Sequence, residues 1–437
     1  MRLFIKIILF CSIAVIKLQG QNLLPVGNGI PTSYGIYSGT VVFNNEIYAA
    51  DNLQIYKWDG TIWQSLGIVV DQSILCMTVY NNELYVGGWF ESFNGLPVNR
   101  IVRYDGNTWQ SVGTGILVPN NMVSGVEKMI EYNGSLIVLG GFVQAGNISL
   151  NQIASWNGTV WDSLGSGITG LASIPSMCVY NNELCVFSQI TNAGGIPVNN
   201  AAKWNGTTWA SMGSGITAWP VSSTVYNNEI YVGLWLGAGN NRSMIVKWDG
   251  TVWANVEQNV NSAMMNVVMD VKVFNGCLYA AGLIDTINGV PVANVARYDG
   301  QNWSSVGNGV NGYANFFIQT NSDLYMTGDF TNSGSIVVNH VVKFDSVPFC
   351  LTSMAEVNSN DQSLQIYPNP ATDIISINTG LINYSSNRYV IYDVCGNVVC
   401  SGMIINSRIA IDSLHEGYYI LSMDNNGMRK MAAFVKQ

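Results

Sequence analysis

The stretch Tyr80-Asn81-Asn82-Glu83-Leu84-Tyr85-Val86-Gly87-Gly88, followed by Tyr104-Asp105-Gly106 and Trp109, recurs through most of the chain and leaves it few folds to choose from. Its first anchor is an aromatic residue, an Asn-led turn and an apolar run. It stands at 43–48, 80–85, 132–136, 180–184, 226–231 and 274–279, and in degraded form at 320–325. Asn-Asn and Asn-Gly tolerate the positive φ of a type I′ turn, so each copy joins two antiparallel strands. The second anchor is an aromatic residue, Asp or Asn, then Gly, with a Trp three residues further on. It opens at Trp58, Tyr104, Trp156, Trp204, Trp248 and Tyr298, spaced by 44 to 52 residues. Each unit therefore holds four short strands, the content of one β-propeller blade.

The two ends of the repeat complement each other. Val26-Gly27-Asn28-Gly29-Ile30 reads as a fourth-strand tail without its preceding strands. Val341-Val342-Lys343-Phe344-Asp345 ends the repeat with a third strand and no fourth. The reading is an all-β chain with a seven-bladed β-propeller over 22–346, closed by pairing the N-terminal strand into the last blade. An open β-solenoid shares the period, but complementary ends favour a ring, and closure hides strand edges. The apolar strand into Gly87-Gly88 or Gly140-Gly141, then Tyr104-Asp105 and Trp109, resembles kelch-type repeats of the galactose oxidase-like class. The pattern departs from that class where Ala49-Ala50, Phe187-Ser188 and Thr327-Gly328 replace the Gly pair. The resemblance implies a fold and no activity.

Charge and composition exclude several functions. Charged residues are 10% of the chain and the net charge is −9, so there is no basic stripe for nucleic acid. Arg2 and Lys6 before the apolar run 7–16 read as a secretory signal peptide over 1–20, and no later stretch is apolar enough for a transmembrane helix. The eight cysteines are too sparse for a disulfide framework. Cys178 and Cys185 flank the Asn181-Asn182 turn, stand opposite each other, and are a possible cross-strand disulfide. No Cys/His cluster suggests a metal, and no cofactor is expected. With only His340 and His415, a copper oxidase site or a Ser-His-Asp triad lacks its parts. Arg103, Arg297 and Lys203 share one strand position and read as structural.

Tight hairpins occupy one face of such a ring, and the second-to-third strand loops and blade-to-blade connections share the other. Loops on a rigid scaffold carry binding, and the ligand-binding candidates there are Trp89, Glu91, Phe93, Trp219, Trp235, Asp285, Tyr313 and Asp329. Trp89, Trp235 and Asp329 share one repeat position, next to a position that is apolar in nearly every blade. Aromatic groups at a rim stack on sugar rings or on a protein partner, although packing between blades would also account for each Trp. The expected function is a secreted or cell-surface protein, a monomer, binding carbohydrate or protein. The alternative is a polysaccharide hydrolase or lyase using Asp329 and Asp285.

Beyond Asp345 the repeat stops. Residues 347–363 read as a linker, and 364–437 as alternating strands of a small Ig-like β-sandwich. Tyr367-Pro368-Asn369-Pro370, Asp373, Asp393, Gly396, Leu414 and Gly417-Tyr418-Tyr419 closely resemble the type IX secretion C-terminal sorting domain (type A). That resemblance implies the type IX secretion machinery as partner. It also implies a Gram-negative host, a route through the periplasm, and release or fixation at the outer cell surface.

Overall fold

The computed structural model describes residues 21–347 except 34, 119–123, 172–173, 237–242, 258–265, 321 and 346. It also describes 366–437 except 378–387, 394–397, 405–406, 413 and 426–427. The signal-peptide and linker readings therefore lie, but for Val347, outside the described residues.

The repeat folds as an antiparallel meander. The strands Ile74–Tyr80, Glu83–Gly88, Ile101–Tyr104 and Trp109–Ser111 pair in order, and every other copy of the unit repeats this. In the Asn-Asn turns both residues take positive φ, as Asn81 (50°) and Asn82 (60°) do. Asn tolerates that region, and the turn's twist matches its strands. At the second anchor, Asp105 Oδ1 accepts hydrogen bonds from the Asn107 and Thr108 N–H groups, fixing the loop to Trp109. Two of the three cations at the shared strand position are held in ion pairs, Arg103 with Glu83 (3.2 Å) and Lys203 with Glu183 (2.7 Å).

The innermost strand of each sheet touches that of the next, and the cycle returns from Tyr313–Gln319 to Gly39–Phe43. Two neighbouring sheets are further joined where Trp235 and Leu236 pair with Val267 and Asn266. Close approach explains the Gly pair, because a Cβ on Gly87 would lie 2.4 Å from Val126 of the next sheet. At the join, Leu23–Pro25 pairs with Val341–Phe344 in the register Leu23↔Phe344 and Pro25↔Val342. Beside it, Asn339 donates to the Asn28 carbonyl (3.1 Å), just as Asn99 donates to Thr114 (2.6 Å) within one continuous unit. The N-terminal tail thus stands where a fourth strand stands elsewhere.

The loops from second to third strand are not irregular. Ser92–Phe93 pairs with Leu96–Pro97, and small hairpins recur at Gln144–Ala145, Asn192–Ala193, Thr286–Ile287 and Asn332–Ser333. The residue at one position in each turns inward: Phe93, Ala145, Ala193 and Ile287 are fully buried.

The C-terminal strands form two sheets. One holds Ile366–Tyr367, Ile374–Ile377 and Arg408–Ala410, and the other holds Val398–Met403, Arg388–Asp393, Gly417–Asn425 and Met428–Lys436. They share a core that includes Ile375, Ile391, Ile409, Leu421 and Phe434.

Candidate functional site

The inner strands enclose a central channel of ≈ 500 Å³, within the range of small-molecule sites. Its wall takes residues from every inner strand of the cycle, among them Thr40, Met77, Met129, Ser176, Ser223 and Phe317. Trp89 and Tyr37 line it as well.

At the entry to the last inner strand, Tyr313 pairs with Asp329 across the Tyr313–Gln319 and Leu324–Asp329 strands. The Tyr37 hydroxyl donates to Asp329 Oδ2 at 2.5 Å. Partial burial and the adjoining Asp329 carboxylate push the Tyr37 pKa well above its ordinary value, with Tyr313 adding to the effect. The tyrosine therefore stays a hydrogen-bond donor at any physiological pH. Two rings and a carboxylate are thus gathered beside the channel, whose lining Trp89 shares from another sheet.

The remaining candidates divide. Trp219 and Trp235 oppose each other across a strand pair, with centroids 6.2 Å apart and planes at 62°, and Trp219 is 53% exposed. Glu91 reaches Arg100 at 2.8 Å, so an exposed carboxylate covers a buried guanidinium. Asp285 is exposed at the foot of its small hairpin. Phe93 is a correction. It is fully buried against Phe90 (5.2 Å) and Trp109 (4.6 Å), because the loop expected to present it is an ordered hairpin.

Cys178 and Cys185 stand directly opposite, as expected, yet both are free thiols. Opposite residues of a hydrogen-bonded pair fit disulfide geometry poorly. The hydrogen bond that the Cys185 thiol donates to Cys178, together with burial, raises the Cys185 pKa. Cys277, by contrast, is disulfide-bonded, which the sparse cysteine pattern does not foretell. His340 is buried at a positive-φ position equivalent to Arg100, with Nδ1 3.2 Å from the Gly328 carbonyl oxygen.

The channel also holds charged groups that sequence reasoning missed: Glu127 and Lys128 on one strand, Asp270 and Lys272 on another. Asp270 accepts a hydrogen bond from the Phe317 N–H (2.8 Å). Its pKa is raised by burial, against the pull of that bond and of Lys128 and Lys272. Glu127 is the bulged residue of its strand, between Val126 and Lys128 in a register shift. Its Oε2 is buried without a hydrogen-bond partner, and burial raises its pKa to about 7. The detectable signal lay four and five residues before the aromatic anchor, where other repeats carry Gly39, Cys76, Ser176 and Ser222, or Leu75, Val221 and Met269.

A pH dependence follows. The folded-state pKa of Glu127 lies above the unfolded carboxylate value of about 4.3. Folding therefore favours the protonated form, and its stabilisation is full below the unfolded pKa and lost as pH rises through the folded one. The melting temperature is expected to fall between about pH 5 and about pH 8. Glu127→Gln should flatten part of that fall in a calorimetric pH series. An unchanged slope would refute the assignment.

Residues 365–437 match the secretion system C-terminal sorting domain. They are a sorting domain of the type IX system. Residues 81–107 match a β-propeller domain of unknown function, DUF5122. No curated protein matches the chain. Among solved structures, it is similar to PorZ, a surface component of the type IX secretion system of Porphyromonas gingivalis. The TM-score is 0.48 at 13% identity, covering 94% of this chain and 60% of PorZ, so the chain spans about three fifths of that protein. It is also similar to the computationally designed Ika8 protein (TM-score 0.43, 11% identity, 74% of this chain and 99% of that one). The β-propeller domain of the Trilobed protease from Pyrococcus furiosus is a third (TM-score 0.41, 10% identity, 72% and 96%).

Among the described residues there is no group of three or more His, Cys, Asp or Glu able to hold a metal, and no helix long and apolar enough to cross a membrane. Of the sorting motif, Tyr367 is exposed, Asn369 Oδ1 accepts from the Val435 N–H (2.9 Å), and Gly417 and Tyr418 open the Gly417–Asn425 strand. Asp393 ends the Arg388–Asp393 strand, and Gly396 lies outside the described residues.

Proposed function

We propose that this is a cell-surface or released binding protein. A seven-bladed propeller over 22–346 takes a carbohydrate at the mouth of its channel, and an Ig-like sandwich over 364–437 serves the type IX machinery. A signal peptide over 1–20 and a linker over 347–363 complete the layout, with the chain acting as a monomer. The cycle of inner-strand contacts and the shared last sheet support the blade count. The sorting-domain match supports export to the surface.

One observation carries the ligand class: Tyr37, Tyr313 and Trp89 stand by the channel with the Asp329 carboxylate fixed by a tyrosine hydroxyl. Aromatic faces pack on the C–H faces of sugars, and a fixed carboxylate orients hydroxyls. The Trp219 and Trp235 pair offers a second aromatic surface. Glycan-array binding followed by calorimetry tests this. Trp89→Ala is expected to weaken the best ligand about 10-fold or more, since removing an aromatic anchor costs 1 to 2 kcal/mol or more. Trp235→Ala reports whether the second surface takes part. Absence of binding to any glycan, with capture of a protein ligand instead, would overturn the carbohydrate assignment. Turnover of a bound glycan that is lost in Asp329→Asn would turn the reading towards a hydrolase.

A further inference from the structure

The channel's charges specify its occupant more narrowly than its mouth does. At the bulge occupied by Leu75, Val221 and Met269 in three other sheets, and in the last by Asn315, whose amide is tied to the Ile36 carbonyl, Glu127 places a carboxyl oxygen out of reach of solvent and of any donor among the described residues. An apolar residue would serve the fold better there, since a buried acceptor left unmade costs stability. Positions that break a repeat's rule without a structural gain mark function. Trp89, on the wall of the neighbouring sheet, has its own buried Nε1–H without a partner.

Lys128 and Lys272 face the same channel. Hairpin carboxylates hold the third-strand cations Lys57, Arg103, Lys203, Lys247 and Lys343 in ion pairs, but among the described residues these two lysines make none within 4.0 Å. They act on Asp270 only through their field. The wall thus offers acceptors at Glu127 and Asp270, and donors at Lys128, Lys272 and Trp89, with formal charges that cancel. A cationic ligand would satisfy the carboxylates and be repelled by the lysines. An anionic ligand would meet the reverse. A hydroxyl both donates and accepts, so a neutral polyhydroxylated ligand can satisfy both kinds of group.

We infer that the channel binds the end of a neutral saccharide chain, with Glu127 accepting from its hydroxyls and Lys128 and Lys272 donating to them. The inference rests on the carbohydrate reading above and extends it from the mouth into the channel. A channel enclosed by a ring of strands admits a chain end rather than the middle of a polymer.

The test uses the full chain and three oligosaccharide series in calorimetry: neutral malto- and xylo-oligosaccharides, cationic chitosan oligomers and anionic oligogalacturonates. A neutral series is expected to bind at least 10-fold more tightly than either charged one. Glu127→Leu, which installs the side chain found at Leu75, is expected to weaken that binding at least 10-fold without lowering the melting temperature. Glu127→Gln is expected to fall between the two. Unchanged affinity in Glu127→Leu, or preference for a charged series, overturns the inference. If Trp89→Ala weakens binding while Glu127→Leu does not, the mouth keeps its role and the channel loses it. If no series binds, both readings fall.

Discussion

Removing residues 21–25, and with them the Leu23–Pro25 strand, is expected to lower the melting temperature by about 5 to 10 °C. Leu23 is 2% exposed within a core that includes Phe344, Tyr279, Phe317 and Met326. Its loss removes a buried leucine, worth about 2 to 5 kcal/mol in large-to-small substitutions. It also strips the Val341–Phe344 strand of its outer partner and leaves an unpaired edge. The point variant Leu23→Asp buries a carboxylate in the same place and should cost a similar amount. Differential scanning calorimetry reads both. A deletion that melts with the intact chain would show that the N-terminal strand does not close the ring. Light scattering supplies a second readout, because an opened edge is expected to associate with other copies.

The second large effect concerns delivery. Deleting residues 365–437 is expected to abolish appearance at the cell surface and in the medium, with the protein retained inside the outer membrane. This segment binds its own ends together. Ala371 N–H donates to the Val435 carbonyl and Gln437 N–H to the Ala371 carbonyl, each at 2.8 Å, while Asn369 holds Val435. The Tyr-Pro-Asn-Pro motif and the last strand are therefore one structural unit. Asn369→Ala is expected to reduce delivery partially, since one hydrogen bond is worth about 1 kcal/mol. Cell fractionation with immunoblotting measures both. Normal surface delivery of the deletion would refute the sorting role of the segment.

Much of the fold was legible because its signals are local. Asn-Asn or Asn-Gly at six of the seven first-anchor hairpins fixes the turn and hence the register, so Cys178 fell opposite Cys185 as expected. Their redox state was not legible, since register alone does not set the distance between sulfurs. Counting strands at the two ends joined the segment around Val26 to Val341–Phe344, and the structure supplies the register Leu23↔Phe344. Phe93 was misplaced because each arm of its hairpin is two residues long, too short to show a period, although Asn94-Gly95 carries the turn. Tyr37 precedes the first anchor, so no repeat column pointed to it. Glu127 and Lys128 were hidden by the bulge, which turns two neighbouring residues of a strand towards the channel and defeats simple alternation.

The last sheet draws its strands from opposite ends of the repeat region: Leu23–Pro25 pairs with Val341–Phe344, more than 300 residues later. Every other sheet is complete once its own four strands have been synthesised. A chain threaded through a membrane N-terminus first therefore emerges as a growing row of finished sheets with its leading segment idle. That segment finds its partner only after Val341–Phe344 has followed. The loop that must close is long, and such long-range pairing is slow. Until that moment two edges stay open to unwanted neighbours, so the interval between the first and last strands is when a chaperone would matter most to this protein.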